Sequence, residues 1–235
     1  MRHRGAIGAI VCLVAACLAG GAAAAPCRTG GPYDKWLAEF EREAMAAGVS
    51  QQAIAAAAPY LTYDQRIVNI DRGQRVFTQT FLEFSDRMAA AYRIQRGAAL
   101  IKTYAPVFAK IDTQFGVPAP VIVSFWALES DFGANMGNYR TLSALASLAY
   151  DCRRADRFRA QLLDALRLIQ RGDLRPSDMV GSWAGELGQT QMMPSESPSI
   201  TTAMARVIFC AAPPMCSPRR RIIWSGSAGG AASHG

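Results

Sequence analysis

The sequence predicts an all-α fold, and three observations support this prediction. Apolar residues recur at intervals of three and four over most of the region from residue 33 to residue 171. Alternation with a period of two, the pattern of a half-buried strand, is nearly absent. The chain has 235 residues, of which 51% are hydrophobic, so it is long enough for one domain with a sizeable core.

The predicted helices begin near residue 33. The first covers residues 33–47 and ends before Gly48, and Ser50 then caps an Ala-rich helix that stops at Pro59. The mixed segment 64–74 is predicted to be irregular. Four residues then stack at helical spacing and are predicted to belong to the core: Phe77, Phe81, Phe84 and Met88.

The next helices follow the same reasoning. One amphipathic helix is predicted over residues 100–115, ending before Gly116. Two more are predicted at 141–150 and 155–171, and Pro176 is expected to open a short one.

A run without charged residues, 121–128, leads into Glu129. Pro118 and Pro120 precede this run and Gly133 follows it, which predicts a short, largely buried helix with Glu129 at its C-terminal end. Burial and the negative end of the helix dipole both disfavour an ionised carboxylate, so the pKa of Glu129 should be raised. A protonated Glu is a general acid. The alternative is a Glu that simply turns out to solvent where the helix ends.

A second segment, residues 181–195, contains three Gly, two Gln, one Trp and two Met. Gly permits close approach of the backbone to a ligand, and Gln offers hydrogen-bond donors and acceptors without charge. This composition indicates a cleft for a neutral ligand that is rich in hydroxyl and amide groups.

Together, the two segments resemble the membrane-bound lytic murein transglycosylase B-like family. That family has a Glu-Ser-x-Phe-Gly segment, here residues 129–133, and about fifty residues later Gly-Ser-x-Ala-Gly-x-x-Gly-x-x-Gln-x-Met-Pro-Ser, here residues 181–195. The resemblance extends over roughly residues 33–196. It implies a lysozyme-like transglycosylase domain whose cleft is built from helices.

The resemblance also implies the chemistry. The family's Glu, here Glu129, protonates the oxygen that bridges N-acetylmuramic acid and N-acetylglucosamine. The C6 hydroxyl of the substrate then closes on the anomeric carbon and gives a 1,6-anhydro product, with Glu129 acting next as a base. Ser182 and Gln191 match positions that hydrogen-bond the substrate, and Met192 matches a cleft-lining position; ordinary turn and packing roles are the alternative. No cofactor is implied.

No second carboxylate is assigned, although glycoside cleavage commonly uses two. Asp131 is two positions from Glu129 and therefore points to a different helix face, so it is expected to be a helix-end or surface residue. Glu186 lies inside the Gly-rich segment, and a mechanism with one Glu fits better. Trp126 and Trp183 stack on sugar faces or belong to the core, and both interpretations stay open.

The first 25 residues have the pattern of a secretory signal peptide, with a basic start, an apolar run over 7–19 and small residues at 22–25. Export to the periplasm is therefore expected. Lipoprotein processing at Cys17 is the alternative, and it would anchor the protein to a membrane. In an oxidising compartment, the two Cys of the exported body, Cys27 and Cys152, are expected to form a disulfide, with separate thiols as the alternative.

Charge and histidine content exclude several classes of protein. The formal charge is +7, but six of the 25 basic residues lie in the signal or in the last forty residues, which leaves 19 against 18 acidic residues. This balance argues against nucleic-acid binding. The only two histidines are His3 and His234, so no zinc pattern and no Ser-His nucleophile are expected.

The segment 197–235 has a different character, with four Pro, two Cys and no Asp or Glu. The family continues instead with Asp-x-Asp-Gly-Asp-Gly and a helix that contains Asn-Tyr. If the codons from Ser199 onward are read from their third base, the genetic code permits both motifs. We therefore expect a frameshifted, disordered tail, a missing or scrambled C-terminal lobe, and weak or absent activity. The DNA sequence of the locus tests this expectation.

The leading interpretation is thus a monomeric, exported lytic murein transglycosylase that acts on peptidoglycan glycan strands. The alternative is a non-catalytic peptidoglycan-binding or scaffold protein that keeps the cleft without turnover. A secreted helical domain without a glycan role is the third reading, which the two motifs disfavour.

Overall fold

A computed structural model describes residues 27–28, 31–74 and 79–196. The predicted signal peptide, residues 1–25, and the predicted tail, residues 197–235, lie outside the described residues, as does Phe77. The described parts contain nine α-helices and a two-stranded sheet, so the all-α prediction is confirmed. The helices are α1 Tyr33–Ala46, α2 Gln51–Ala57, α3 Gln65–Arg72, α4 Phe81–Met88, α5 Ala91–Thr103, α6 Ala105–Phe115, α7 Ala119–Ser130, α8 Thr141–Tyr150 and α9 Ala155–Gln170.

Most of the helix boundaries follow from local chemistry. The Ser50 hydroxyl accepts a hydrogen bond from the backbone N–H of Ala53 at 3.2 Å and caps α2, as predicted. A 3₁₀ turn, Ala58–Tyr60, follows α2 at the predicted proline stop. The short helix predicted at Pro176 is a 3₁₀ turn, Pro176–Asp178.

The segment predicted to be irregular is a helix, α3, and that prediction is wrong. The side chain of Asp64 caps it by accepting from the N–H of Arg66 at 2.9 Å. Ile67, Val68 and Asp71 are buried on one side of α3. The Asp71 carboxylate forms ion pairs with Arg153 and Arg154, which compensate its burial.

The single helix predicted over residues 100–115 is also a wrong prediction, because the chain breaks at Tyr104 into α5 and α6. Pro106 lies in the first turn of α6. Its missing N–H and its ring are incompatible with a helix interior, so a new helix begins there.

The buried residues form two separate clusters. The larger core unites α1, α2, α3, α8 and α9, and every residue of α8 from Thr141 to Ala149 is buried. The smaller core joins α6 and α7 through a set of apolar side chains: Phe108, Ile111, Ile122, Val123, Trp126, Ala127 and Phe132.

Two short strands connect these regions. β1, Tyr139–Arg140, pairs antiparallel with β2, Val180–Gly181, in the register Tyr139 with Gly181. Leu187 forms bridges to Gly181 and to Met192, which extends the pairing into the Gly-rich segment.

The structure pairs the sulfur atoms of Cys27 and Cys152, whose Cα atoms lie 5.1 Å apart, within the usual range for a disulfide. Cys152 lies between α8 and α9, so the pair ties the N-terminal segment to the larger core. The covalent bond itself stays a prediction.

In the described part of the chain, no single helix has the length and apolar character needed to span a membrane; the bent pair Ala105–Phe115 and Ala119–Ser130, at 110°, does so by length and composition only.

Candidate active site

Helix α7 ends abruptly just after Glu129. The backbone N–H groups of Asp131 and Phe132 donate to the carbonyls of Ala127 and Trp126 at 3.0 and 3.1 Å. Asp131 and Phe132 both have left-handed conformations, with φ of 50° and 59°. Such values are uncommon for residues other than Gly and concentrate at functional sites, so the turn after Glu129 is a candidate for one.

Glu129 is exposed, and α7 is buried on one side only, so the prediction of a largely buried helix is wrong. The exposed side also carries Val121, Leu128 and Phe125, the last of which is 59% exposed. The apolar sequence of α7 led to the prediction of a buried helix, because a sequence pattern does not show whether another element covers a given helix face.

The pKa of the Glu129 carboxyl is raised above its ordinary value of 4.5 by partial desolvation and, secondarily, by the negative charge of Glu186. The predicted direction is confirmed, and the sequence interpretation did not include Glu186 as a cause. A carboxyl with a raised pKa keeps its proton closer to neutral pH and is a better general acid there.

The Gly-rich segment folds back tightly on itself. The N–H of Ser182 donates to the carbonyl of Glu186 at 3.2 Å. A Cβ atom on Gly181 would collide with that same carbonyl oxygen, so this close approach requires Gly. The close packing of the backbone therefore explains the Gly at position 181 without any contribution from a ligand.

A buried hydrogen bond fastens the Gly-rich segment to α7. The indole Nε1 of Trp126 donates to the side-chain Oε1 of Gln189 at 2.7 Å. Trp126 is 4% exposed and Gln189 is 2% exposed. Trp126 is therefore a core residue and is not available to stack on a sugar.

Gln189 is a site residue that sequence reasoning missed. It lies in the same segment as Gln191 and has the same chemistry, and nothing in the sequence tells which of the two is buried. In the structure, a Cβ on Gly133 would meet the Gln189 side chain at 2.5 Å, so that Gly leaves room for the buried amide.

The three predicted substrate-binding residues lie in this segment. The Ser182 hydroxyl donates to the Glu186 carboxylate at 2.7 Å and accepts from the N–H of Ala184 at 3.2 Å. Gln191, with φ of 50°, donates through Nε2 to the carbonyls of Gly188 at 2.8 Å and Met136 at 3.2 Å. Met192 is half-buried and pairs through its backbone with Leu187.

The remaining candidates make contacts within the fold. Asp131 is the C-cap residue of α7, and its carboxylate pairs with Arg93 at 3.2 Å, so the helix-end prediction is confirmed. Trp183 is half-buried and packs against the larger core. Within residues 27–28, 31–74 and 79–196, no group of three or more His, Cys, Asp or Glu side chains could hold a metal ion.

A broad apolar cavity of about 530 Å³ lies between α4, α5 and α7 and reaches Leu128, next to Glu129. The predicted core residues Phe81 and Phe84 lie here, but both are exposed, Phe81 by 78%, and Met88 is half-buried. The prediction that these residues are core is therefore wrong for the described structure, because no described element covers them.

The arrangement of a helical core, an acidic helix end and a Gly-rich segment packed beside it defines a lysozyme-like transglycosylase domain. Over residues 32–203, the sequence matches the family described as "Transglycosylase SLT domain", and the chain belongs to this family. The match extends past Glu196, where the resemblance seen in the sequence ends.

Three similar proteins illustrate the relationship. Membrane-bound lytic murein transglycosylase B of Escherichia coli K12 is 30% identical over 116 residues, which are 49% of this chain and 32% of that protein. SltB3 of Pseudomonas aeruginosa, solved with NAG-NAM-pentapeptide, is 34% identical with a TM-score of 0.69 over 73% of this chain and 46% of that one. The soluble lytic transglycosylase SltB1 of the same organism is 26% identical with a TM-score of 0.64 over 75% and 64%. The chain thus spans about a third to two thirds of these relatives.

Proposed function

We propose that this protein is a lytic murein transglycosylase that cleaves the β-1,4 bond between N-acetylmuramic acid and N-acetylglucosamine in peptidoglycan. The observation that carries the proposal is a carboxyl with a raised pKa, Glu129, at a helix end beside a Gly-rich segment of uncharged hydrogen-bonding groups. SltB3, which was solved with NAG-NAM-pentapeptide and with NAG-anhNAM-pentapeptide, supports the substrate class and the anhydro product.

The proposed reaction needs one acid and no external nucleophile. Glu129 gives its proton to the bridging oxygen as the bond to the anomeric carbon breaks. The C6 hydroxyl of the same muramic residue then bonds to that carbon and returns its proton to the Glu129 carboxylate. Ser182, Gln191 and Met192 are proposed to contact the sugars near the scissile bond.

We also propose that turnover by this chain is impaired. This proposal rests on the sequence after Glu196, where the acidic and Asn-Tyr motifs of the resembled family are absent. The alternative function, peptidoglycan binding without catalysis, would follow from the same observation, because a cleft can bind glycan after turnover is lost.

The test is muropeptide analysis by mass spectrometry after incubation of purified sacculi with the full chain, with a fully active lytic transglycosylase as positive control. Anhydro-ended fragments from the wild type, and none from Glu129→Gln, are expected. Glu39→Gln on α1 is the matched control and should behave like the wild type. Near-normal turnover by Glu129→Gln refutes the assignment. Sacculus binding by both proteins without anhydro ends from either supports the binding alternative.

The cellular context is proposed on the sequence pattern alone. Export to the periplasm with cleavage near residue 25 predicts a mature N-terminus close to Pro26, which N-terminal sequencing measures. Metabolic labelling with a fatty acid tests lipidation at Cys17. Sequencing of the locus tests the proposed frameshift after Glu196: without the acidic and Asn-Tyr motifs in another frame, the idea fails. A monomer is expected in sedimentation experiments.

A further inference from the structure

A second cavity, of about 350 Å³, lies where the start of α3 meets strand β1. The cavity beside α7 is lined mainly by apolar side chains, whereas most residues around this one are polar or charged: Asp64, Arg66, Asn138, Tyr139, Arg140 and Ser143. The proposed reaction uses none of them. The cavity is therefore a candidate for a binding site in its own right.

One side of the cavity is already engaged in contacts within the fold. The Asp64 carboxylate accepts from Nε and Nη2 of Arg66 at 3.0 and 2.7 Å, so these two charges compensate each other. The Ser143 hydroxyl donates to the carbonyl of Thr62 at 2.8 Å and accepts from the Thr62 hydroxyl at 3.1 Å. This side is thus a fixed wall with little net charge.

The other side of the cavity carries a cation without a counterion. The guanidinium of Arg140 lies over the ring of Tyr60 at 5.4 Å, and this cation–π contact restricts the side chain. Within the described ranges, Arg140 forms no ion pair, and neither the Asn138 amide nor the Tyr139 hydroxyl forms a hydrogen bond. All three side chains can donate, and the planar guanidinium matches the two oxygens of a carboxylate. The ligand class that fits this side is therefore a carboxylate.

Strand β1 places the cavity beside the Gly-rich segment. Tyr139, which lines the cavity, pairs in the sheet with Gly181, directly before Ser182. In the loop that leads into β1, the carbonyl of Met136 accepts from Gln191 Nε2 at 3.2 Å. The cavity therefore adjoins the two residues that are proposed to hydrogen-bond the sugars, and a charged substituent on a sugar bound there lies within its neighbourhood.

We propose that this cavity is a subsite for a carboxylate of the peptide stem that N-acetylmuramic acid carries in peptidoglycan, with Arg140 as the residue that binds the carboxylate. The inference rests on the proposed function for the position of the glycan and on the cavity itself for the recognition of charge. It goes beyond the proposed reaction, in which no group recognises the peptide.

The expected consequence is a preference for glycan that carries an acidic peptide. Arg140 is exposed, so water screens its ion pair and keeps the contribution small. We expect the acidic form of a peptide-bearing fragment to bind about two- to fivefold more tightly than an uncharged form of the same fragment. Removal of the Arg140 charge should abolish this difference.

The experiment is a ¹H–¹⁵N NMR titration of the full chain with three probes. The first is NAG-anhNAM-pentapeptide, the second is the same compound with its carboxylates amidated, and the third is the peptide-free disaccharide NAG-anhNAM. These are product forms, so no bond is left to cleave during the titration. The wild type should prefer the first probe to the second, with backbone amide shifts at residues 138–140.

Four variants locate the effect. Arg140→Gln should lose the preference for the acidic probe, and Arg140→Lys, which keeps the charge, should retain part of it. Tyr139→Phe removes only the hydroxyl from a ring that packs against the larger core, so it should weaken the preference without disturbing the fold. Arg157→Gln, at an exposed position of α9, is the matched control and should behave like the wild type.

Equal affinity of the wild type for the acidic and amidated probes, or no binding of either, overturns the proposal. An equal loss for the peptide-free disaccharide in Arg140→Gln overturns it as well, because the ligand is then the lactyl carboxylate of the sugar. Where circular dichroism shows that Arg140→Gln is misfolded, Tyr139→Phe decides. Binding needs no turnover, so a preference that depends on Arg140, without anhydro fragments from sacculi, supports the subsite and refutes only the catalytic proposal.

Discussion

The replacement of Gln189 by Leu tests the contact that joins the two halves of the candidate site. Leu has nearly the volume of Gln but cannot accept a hydrogen bond. The indole N–H of Trp126, which donates to Gln189 at 2.7 Å, then has no acceptor while it stays buried. The substitution is therefore aimed at one hydrogen bond rather than at packing.

The size of the effect follows from the burial of both partners, 4% exposed for Trp126 and 2% for Gln189. An unsatisfied buried donor costs about 1–3 kcal/mol. For a protein of this size, each kcal/mol lowers the melting temperature by about 2–4 °C, so Gln189→Leu should melt about 2–12 °C below the wild type.

A double-mutant cycle separates the hydrogen bond from packing. Trp126→Phe removes the donor and leaves the Gln189 amide without its partner, so it should also destabilise. When both substitutions are combined, neither polar group is left unpaired, and the total cost should be smaller than the sum by about 0.5–3 kcal/mol. The assay is urea unfolding followed by circular dichroism at constant pH. Gln114→Leu, at an exposed position of α6, is the control and should change stability by less than about 0.5 kcal/mol.

The reasoning is refuted by a loss of unfolding free energy in Gln189→Leu that is no larger than in Gln114→Leu. It is also refuted by losses in Gln189→Leu and Trp126→Phe that simply add in the double variant. The same variants predict a functional effect, because the hydrogen bond positions the Gly-rich segment relative to Glu129. If the turn that carries Glu186 moves away from α7 in Gln189→Leu, the pKa of the Glu129 carboxyl, measured by ¹³C NMR titration, should fall, because the contribution of the Glu186 charge becomes smaller.

Three further predictions concern other parts of the molecule. A non-reduced digest should contain a Cys27–Cys152 linked peptide, and Cys152→Ser should lose about 2–5 kcal/mol because the bond closes a loop with a sequence separation of 125; two separately alkylated peptides would contradict this. Ser50→Ala should cost about 1 kcal/mol in urea unfolding, since it removes the cap of α2, whereas Ser50→Asp should cost little. Finally, Glu129 has a raised pKa in the fold, so the wild type should lose stability as the pH rises from 4.5 through that raised value. Glu129→Gln should therefore melt above the wild type at pH 7 and equal to it at about pH 3, and equal melting at both pH values would contradict the raised pKa.

The elements that the sequence predicted well are those whose boundaries depend on neighbouring residues. Helix α8 is predicted at 141–150 and observed at Thr141–Tyr150, and α7 ends before Gly133 as expected. Apolar periodicity together with Gly and Pro at the ends is sufficient in such cases, because the signals are local.

The features that the sequence analysis missed are stabilised by residues far away in the sequence. Helix α3 has only a short apolar pattern, and its third buried residue, Asp71, is compensated by Arg153 and Arg154, which are more than eighty positions away. From sequence alone, a charged residue is predicted to lie at the surface, because its ion-pair partners are not known. The same limitation hid Gln189, whose partner, Trp126, is 63 positions earlier.

For the apolar residues of α4 the prediction was wrong in the opposite sense, because residues predicted to be buried are exposed. Phe81 and Phe84 have the spacing of a core stripe, yet both are exposed beside the apolar cavity. A periodic apolar stripe indicates that a helix needs a partner surface. It does not indicate whether the described part of the chain supplies that surface.

The position of the candidate site explains why these failures matter for function. Glu129 belongs to a helix of the smaller core, whereas Glu186 and Ser182 follow a strand whose partner, β1, leads directly into α8 of the larger core. The relative position of the two carboxylates is therefore set by whatever joins the two cores. In the described structure, the Trp126–Gln189 hydrogen bond and the Gln191–Met136 hydrogen bond contribute to this junction. Loss of this junction would let Glu129 and Glu186 move apart, which would reduce the secondary contribution of Glu186 to the raised pKa of Glu129. The free energy of unfolding and the pKa of Glu129 should therefore fall together in Gln189→Leu, and a pKa that stays unchanged in a destabilised variant would show that the cores are joined elsewhere.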